Sequence, residues 1–150
     1  MSPAQRIVPP AYFLASLLAM LALHRYVPIA RIVEPPLTWL GLVPLVLGVA
    51  AAIAGARSFG RAGTTVRPFR EASALVTDGI FRVSRNPMYL GMVSALLGVA
   101  ILLGTLGAFL PVPLFFFVLQ HWFVRPEEKM LERLFGEHYL DYRRRVRRWM

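Results

Sequence analysis

Two polar clusters hold the residue types that could do chemistry. Ser84, Arg85, Asn86, Pro87, Met88, Tyr89, Leu90 and Gly91 stand against the start of one apolar segment, and Arg125, Pro126, Glu127 and Glu128 follow directly on the end of the next. Pro87 has no amide hydrogen to donate and biases Asn86 away from helical backbone, so the pair marks a helix start. A helix N-terminus flanked by arginine and asparagine donors can hold an anionic group. The plainer assignment makes Asn86 a cap and Tyr89 an aromatic at a membrane–water boundary. Glu127 and Glu128 fall in the first turn of a following helix, where the dipole favours acids. Alternatively they present a carboxylate to a cationic ligand, with Arg125, Trp122 and Phe123 as neighbours. If the residues between the clusters form a helical hairpin, both clusters emerge on one side of the bilayer and can share a site.

The remaining chemistry-bearing residues are few. Gln120 and His121 lie inside an apolar segment, where polar groups are functional candidates by default, although His121 is only one turn from Arg125. His24 reads as the end of a span, and His138 and Tyr139 as packing residues of the tail. The chain has no cysteine, which excludes disulfides, thiolate metal sites, iron–sulfur clusters and a cysteine nucleophile. It has no HExxH, G-x-S-x-G or Walker-type loop. With three scattered histidines a catalytic metal centre is not expected. An enzyme built from these residues must rely on positioning more than on side-chain acids or nucleophiles.

The elements that would position the clusters are apolar. The chain is 57% hydrophobic and 17% charged, which would leave a soluble domain of 150 residues with too much apolar surface. The net charge of +9 is confined to segments between apolar runs, so it reads as positive-inside bias and attraction to anionic headgroups, and nucleic acid is not an expected partner. We expect one all-α domain over residues 1–150: an integral-membrane bundle of four transmembrane helices at about 9–25, 37–57, 88–103 and 108–124. Arg6 before the first apolar stretch raises a signal peptide, but no small-x-small cleavage site follows and the span reads as retained. One helix over 88–124 would be roughly 55 Å long against a core of about 30 Å, so Gly104 to Gly107 read as the turn of a hairpin. A cytosolic loop over 58–87 and the Arg-rich tail place both termini in the cytoplasm, with a bacterial inner membrane as the expected location. Gly48 with Ala52, Gly91 with Ala95 and Ser94 with Gly98 are small-xxx-small pairs that let helices approach. The tail over 126–149 reads as an amphipathic helical cap, started by Pro126 and broken at Gly136, with Leu131, Leu134, Phe135, His138, Tyr142, Val146 and Trp149 on one stripe. Arg143, Arg144, Arg145, Arg147 and Arg148 would then face headgroups.

A longer pattern joins these pieces. Leu75 to Phe81, Arg85 to Gly91, Glu127 with Glu128, Phe135 to Tyr142, and Arg145 with Val146 together resemble the isoprenylcysteine carboxyl methyltransferase family, grouped with integral-membrane phospholipid methyltransferases. The similarity covers roughly residues 60–149, in order and at similar spacing. It implies S-adenosylmethionine as methyl donor, held on the cytosolic side between the last span pair and the tail. Carried over by position, the cofactor-contact segment falls on Ser73, Ala74, Leu75 and Val76, its aromatic on Phe81, its His-Pro-x-Tyr on Asn86, Pro87, Met88 and Tyr89, and its acidic contact on Glu127. The substrate-side arginine is assigned to Arg125, which with Glu127 forms the expected catalytic pair. Asn86 and Ser73 stand where eukaryotic members have His, and Phe81 lacks the usual hydroxyl. The implied activity is methyl transfer to a lipophilic, membrane-borne acceptor, first a carboxylate. Two alternatives stay open: N-methylation of a phospholipid amine, or a non-catalytic membrane scaffold of the same fold.

Overall fold

The computed structural model describes residues 8–63 and 74–150, and all of the regular structure among them is helical. Helix α1 is Pro9–Tyr26, with its two prolines in the first turn, where their missing amide hydrogens have no helical acceptor anyway. A short 3-10 turn, Leu37–Gly41, leads into α2, Leu42–Arg61. After a second short turn at Gly79–Arg82, Pro87 opens α3, Pro87–Leu103. Gly104 ends α3 in the left-handed region, at φ 71°, and the chain reverses into α4, Leu106–Phe135. Gly136 stops α4, and α5 is Glu137–Arg145.

Two expectations about the fourth span and the tail need correction. The fourth apolar segment and the first half of the tail are one continuous helix of 30 residues, so Pro126 does not start a new one. The reason is local: Pro126 would collide with the carbonyl of Trp122 in a regular α-helix, and the helix widens into a π-type stretch at Leu119–Val124 just before it. The cap also ends earlier than expected, because residues after Arg145 leave helical geometry at Val146. Leu37–Arg61 and Leu106–Phe135 are long and apolar enough to cross a bilayer, whereas α1 and the 17-residue α3 do not meet both requirements.

α2 and α3 pack through glycine. A Cβ built on Gly48 would lie 2.4 Å from the Gly91 carbonyl oxygen and 2.7 Å from the Ala95 nitrogen. One on Gly91 would meet the Gly48 oxygen at 2.4 Å, and Gly41 and Gly98 face each other in the same way two turns along. The small-xxx-small pairs are thus the contact itself, and they bring the helix axes close enough for backbone to touch backbone. On the other side of α3, Met20, Leu96, Ala100, Val112, Phe115, Leu119 and Phe123 form the core shared by α1, α3 and α4. The outer faces stay apolar: Leu14 and Leu18 on α1, Val43, Val46 and Leu47 on α2, and Leu114 and Phe117 on α4 are all exposed. Such a belt requires lipid or another apolar partner.

The ends of the α3–α4 hairpin differ. At the turn, Gly104 O accepts the amides of Ile32 and Val33, and His24 Nδ1 lies 2.9 Å from Thr105 Oγ1. At the other end, α5 packs on the segment before α3: Tyr139, Tyr142 and Val146 are buried with Val76 and Phe81, and Phe59, Leu131 and Phe135 close the cluster. The expected tail stripe is therefore shifted. Tyr139 packs inward as expected, but His138, expected beside it and on the stripe, is exposed, because Gly136, at φ 50° and ψ −126°, resets the phase between α4 and α5.

Candidate functional site

The open end of the hairpin holds a cavity of about 320 Å³, in the range of small-molecule pockets, which run to roughly 300–1,000 Å³. Three elements supply most of its lining, and Val8 with the start of α1, Phe59 of α2, and Tyr139 and Tyr142 of α5 complete it. The segment over 74–86 brings Ala74, Leu75, Val76, Phe81, Arg85 and Asn86; α3 brings Pro87, Met88, Tyr89 and Met92; α4 brings Glu127, Glu128, Met130 and Leu131. Most of the wall is apolar, with the polar groups gathered at one end.

Each polar group has a traceable position. Pro87 fixes the start of α3, so Tyr89 lies in its first turn and points at α4, where its Oη donates to Glu127 Oε2 at 3.0 Å. Helical neighbours diverge by about 100°, so Glu128 points elsewhere from Glu127. It meets Arg148, which donates through Nε at 2.9 Å and Nη2 at 2.6 Å, a bidentate pair. Arg85 Nη1 reaches the same carboxylate at 3.1 Å and also donates to Tyr139 Oη at 3.0 Å. The Arg85 side chain is only 8% exposed, and its Nε has no hydrogen-bond partner among the described residues.

The end of the chain straps this arrangement down. The Arg148 carbonyl accepts Ser84 Oγ at 3.2 Å and Asn86 Nδ2 at 3.1 Å, and the Arg147 carbonyl accepts the Arg85 amide. Trp149 Nε1 donates to Gln120 Oε1 at 3.1 Å, and its ring lies 5.0 Å from that of Phe116. Tyr142 Oη donates to the Phe81 carbonyl at 2.6 Å. Burial pushes the Tyr142 phenol well up from its ordinary value, and the Tyr139 phenol is raised by burial and then by Glu128. The hydrogen bonds to Glu128 raise the Arg148 guanidinium further.

Set against the expectations, Ala74, Leu75, Val76, Phe81, Asn86, Pro87, Met88, Tyr89 and Glu127 all line this one cavity. Ser73 lies outside the described residues. Arg125 is exposed and does not line the cavity, and the arginine that does is Arg85. Arg148 was expected to face headgroups and instead turns inward to Glu128, which offers it a buried carboxylate partner. Asn86 spends its amide on the strap. His121 is exposed on α4, with Nδ1 3.0 Å from the Phe117 carbonyl. Sequence reasoning missed Glu128 as the shared partner of two arginines, along with Ser84, Tyr139 and Arg148. Ser84 stood in the first polar cluster, Tyr139 in the tail packing and Arg148 among the headgroup arginines, so their residue types were noted but their contacts with Arg85, Asn86 and Glu128 were not.

Comparison with known proteins bears on the same residues. One relative is the Protein-S-isoprenylcysteine O-methyltransferase of Schizosaccharomyces pombe, 40% identical over 75 residues that make up 48% of this chain and 30% of that protein. The chain therefore covers less than a third of that protein's length. An uncharacterized protein of Haemophilus influenzae is 38% identical over 63 residues, which are 42% of this chain and the whole of that protein. The family model described as phospholipid methyltransferase matches residues 36–138, from the approach to α2 through α3 and α4 to the start of α5. That match takes in well over half of the sequence and most of the cavity lining, and the chain belongs to the phospholipid methyltransferase family.

Proposed function

We propose that this protein is a membrane-embedded methyltransferase that uses S-adenosylmethionine on a lipophilic acceptor, with a carboxylate as the first acceptor class. The reading inserts four helices in the bilayer, α1 to α3 and the apolar part of α4, with the cavity at the cytosolic face. The observation that carries it is the Tyr89–Glu127 contact, which sets an acid at the polar end of an otherwise apolar cavity formed by the family-matched segment.

The residues present suit a sulfonium donor. Tyr89 holds Oε2 of Glu127, and Oε1, with no partner among the described residues, can face a cationic group. Phe81, Met88, Met92 and Leu131 supply apolar walls that would exclude water around the reacting atoms. Bound there, S-adenosylmethionine would supply a methyl group open to in-line displacement. A carboxylate acceptor is ionised at neutral pH, so no general base is required, and alignment in a water-poor pocket is sufficient catalysis. This accounts for a site without a triad. The exposed apolar belt supports entry of the acceptor from lipid.

The test is calorimetric titration of the detergent-purified protein with S-adenosylhomocysteine. Saturable binding is expected, and no binding at millimolar ligand favours the non-catalytic scaffold. The family's phospholipid name keeps an amine acceptor as the second reading. A base-labile product from labelled donor identifies an ester, and a base-stable product identifies a methylamine.

A further inference from the structure

The end of the bundle away from the cavity carries a surface that methyl transfer does not use. Between α1 and α2, the segment over 27–40 turns apolar side chains outward: Trp39 is 65% exposed and Ile29 60%, with Val27, Ile32, Leu37 and Leu40 beside them. Tyr26, 78% exposed, ends α1 just before it. Ile29 has φ 64°, a left-handed backbone that a β-branched residue adopts only under strain. A water-facing loop gains nothing by holding an isoleucine outward at that cost.

The segment lies directly on the turn between α3 and α4. A Cβ on Gly107 would meet the Val27 carbonyl oxygen at 2.4 Å, and one on Gly104 would meet the Val33 oxygen at 2.4 Å. Arg31 pairs antiparallel with Thr105, the Ile32 and Val33 amides donate to the Gly104 carbonyl, and the Leu106 and Gly107 amides donate to Ala30 and Pro28. The Leu37 and Trp39 amides donate to Glu34 and Pro36, while Pro28, Pro35 and Pro36 have no N–H to satisfy. Much of the backbone polarity is thus spent within the protein, as irregular chain near hydrocarbon requires. Length points the same way: α1 has 18 residues and α3 has 17, so each rises roughly 25–27 Å against a hydrocarbon core of about 30 Å.

We propose that this segment is a lipid-binding finger, inserted in the leaflet opposite the cavity, where it supplies the hydrophobic length that α1 and α3 lack. The proposal rests on the membrane-embedded reading and adds to it a part of the chain outside the four helices. The occupant is lipid because the surface continues the exposed apolar belt, with Leu21 of α1 on one side and Leu42 and Val43 of α2 on the other. Tyr26 and Trp39 are residue types that settle at the membrane–water boundary. Charge sets the depth. Arg25 and Arg31 are exposed and can reach headgroup phosphates on long stems, whereas Glu34, also exposed, confines the insertion to the interface.

The chain has no cysteine, so a single-cysteine variant carries one label. Ile29→Cys, Ile32→Cys and Leu47→Cys of the full chain are labelled with a nitrobenzoxadiazole fluorophore and reconstituted in phosphatidylcholine vesicles. Leu47 is exposed on α2 beside Gly48 and reports on the span itself. Each label is quenched from lipid by spin-labelled acyl chains, and from water by iodide on both sides of the vesicle. Burial of a side chain of this size favours lipid over water by about tenfold or more. The Ile29 and Ile32 labels should therefore show blue-shifted emission, and quenching from lipid that outweighs quenching from water. Ile32, whose φ is not left-handed, keeps the test decisive should Ile29→Cys fail to fold. Quenching from water at these positions, with Leu47 quenched from lipid, overturns the finger and leaves the membrane reading standing. Shielding from both quenchers means that a second copy or another protein covers the surface, and overturns it likewise. If Leu47 is also quenched from water, the membrane reading falls and the finger falls with it.

Discussion

The site depends on how closely α2 holds α3, and Gly48→Ala tests that directly. The added Cβ would sit 2.4 Å from the Gly91 carbonyl oxygen and 2.7 Å from the Ala95 nitrogen. Carbon–oxygen contacts between close helices run at about 3.3–3.6 Å, so the shortfall is roughly 1 Å. Both atoms that are met belong to the backbone of a packed helix, and no side chain can rotate away. The helices must part, and a gap of roughly 1 Å forfeits up to about half of each contact's dispersion energy along the seam. Overpacking of this kind costs about 1–3 kcal/mol, and backbone-to-backbone collision puts it at the top of that range. Alanine returns roughly 1 kcal/mol of helix propensity. The net loss is about 2 kcal/mol, or roughly 4–8 °C in Tm for a chain of this size.

Gly60→Ala is the matched control. Gly60 also lies in α2, but nothing among the described residues stands within 4 Å of its would-be Cβ. The same chemical change there should raise Tm, by up to about 2–4 °C. Thermal unfolding in one detergent, followed by circular dichroism, compares the two variants. Adding Gly91→Ala to Gly48→Ala should cost less than the sum of the single losses, because the helices have already moved apart. If Gly48→Ala keeps the wild-type Tm, α2 and α3 do not touch through glycine. The position of α3 against α2, and with it where the first turn of α3 stands at the cavity, then loses its support.

Three further outcomes follow from the site. Glu127→Gln should leave Tm within about 1 °C and weaken S-adenosylhomocysteine by about tenfold or more in calorimetry, since it removes a charge but not the shape of the side chain. Tyr142→Phe should destabilise by about 1–2 kcal/mol in chemical denaturation, because the buried Phe81 carbonyl loses its donor. The raised Tyr142 phenol also sets a pH dependence: its contribution is complete below pH 10, the unfolded value, and declines as pH rises beyond it, so the variant should show a flatter alkaline limb. Arg148→Met should release the C-terminal strap at a cost of about 1–2 kcal/mol, moderated because Glu128 keeps Arg85 and Arg148 is partly exposed, and limited proteolysis should cut the tail sooner than in wild type.

Much of the fold was legible because it follows from local rules. Pro9 with Pro10, Pro87 and Gly104 punctuate the chain where their backbone constraints require, and helix starts and the hairpin turn fall on them. The small-xxx-small pairs marked residues suited to close helix approach, and α2 and α3 meet at those residues. Pro126 misled for an instructive reason. A proline after an apolar run looks like a boundary, but one wider turn at Leu119–Val124 lets the helix pass through it, and nothing in the residue types distinguishes the two outcomes. The tail stripe failed at Gly136 for a related reason: a glycine announces a break without giving the angle at which the next helix leaves, and the side chains buried beyond it depend on that angle.

The arginines mark where sequence spacing stops being informative about the site. Arg125 is two residues from Glu127, which made it the natural partner on paper, yet neighbours on a helix diverge and Arg125 ends on the exposed side. Arg85 is far from Glu128 in sequence and meets it because α3 and α4 are antiparallel, with Tyr89 and Glu127 setting the register between them. Arg148 is one of five arginines in a six-residue run, and its selection by Glu128 depends on the turn after Arg145 that no local pattern encodes. The two readings of the acid pair, dipole compensation and ligand contact, are divided between its members. Glu128 is saturated by two guanidinium groups, while Glu127 keeps one neutral partner and faces the cavity. A substitution at Glu128 should therefore register first in stability and one at Glu127 first in ligand affinity. If Glu127→Gln unfolds the protein while Glu128→Gln abolishes binding in a folded one, the roles assigned from the geometry are reversed.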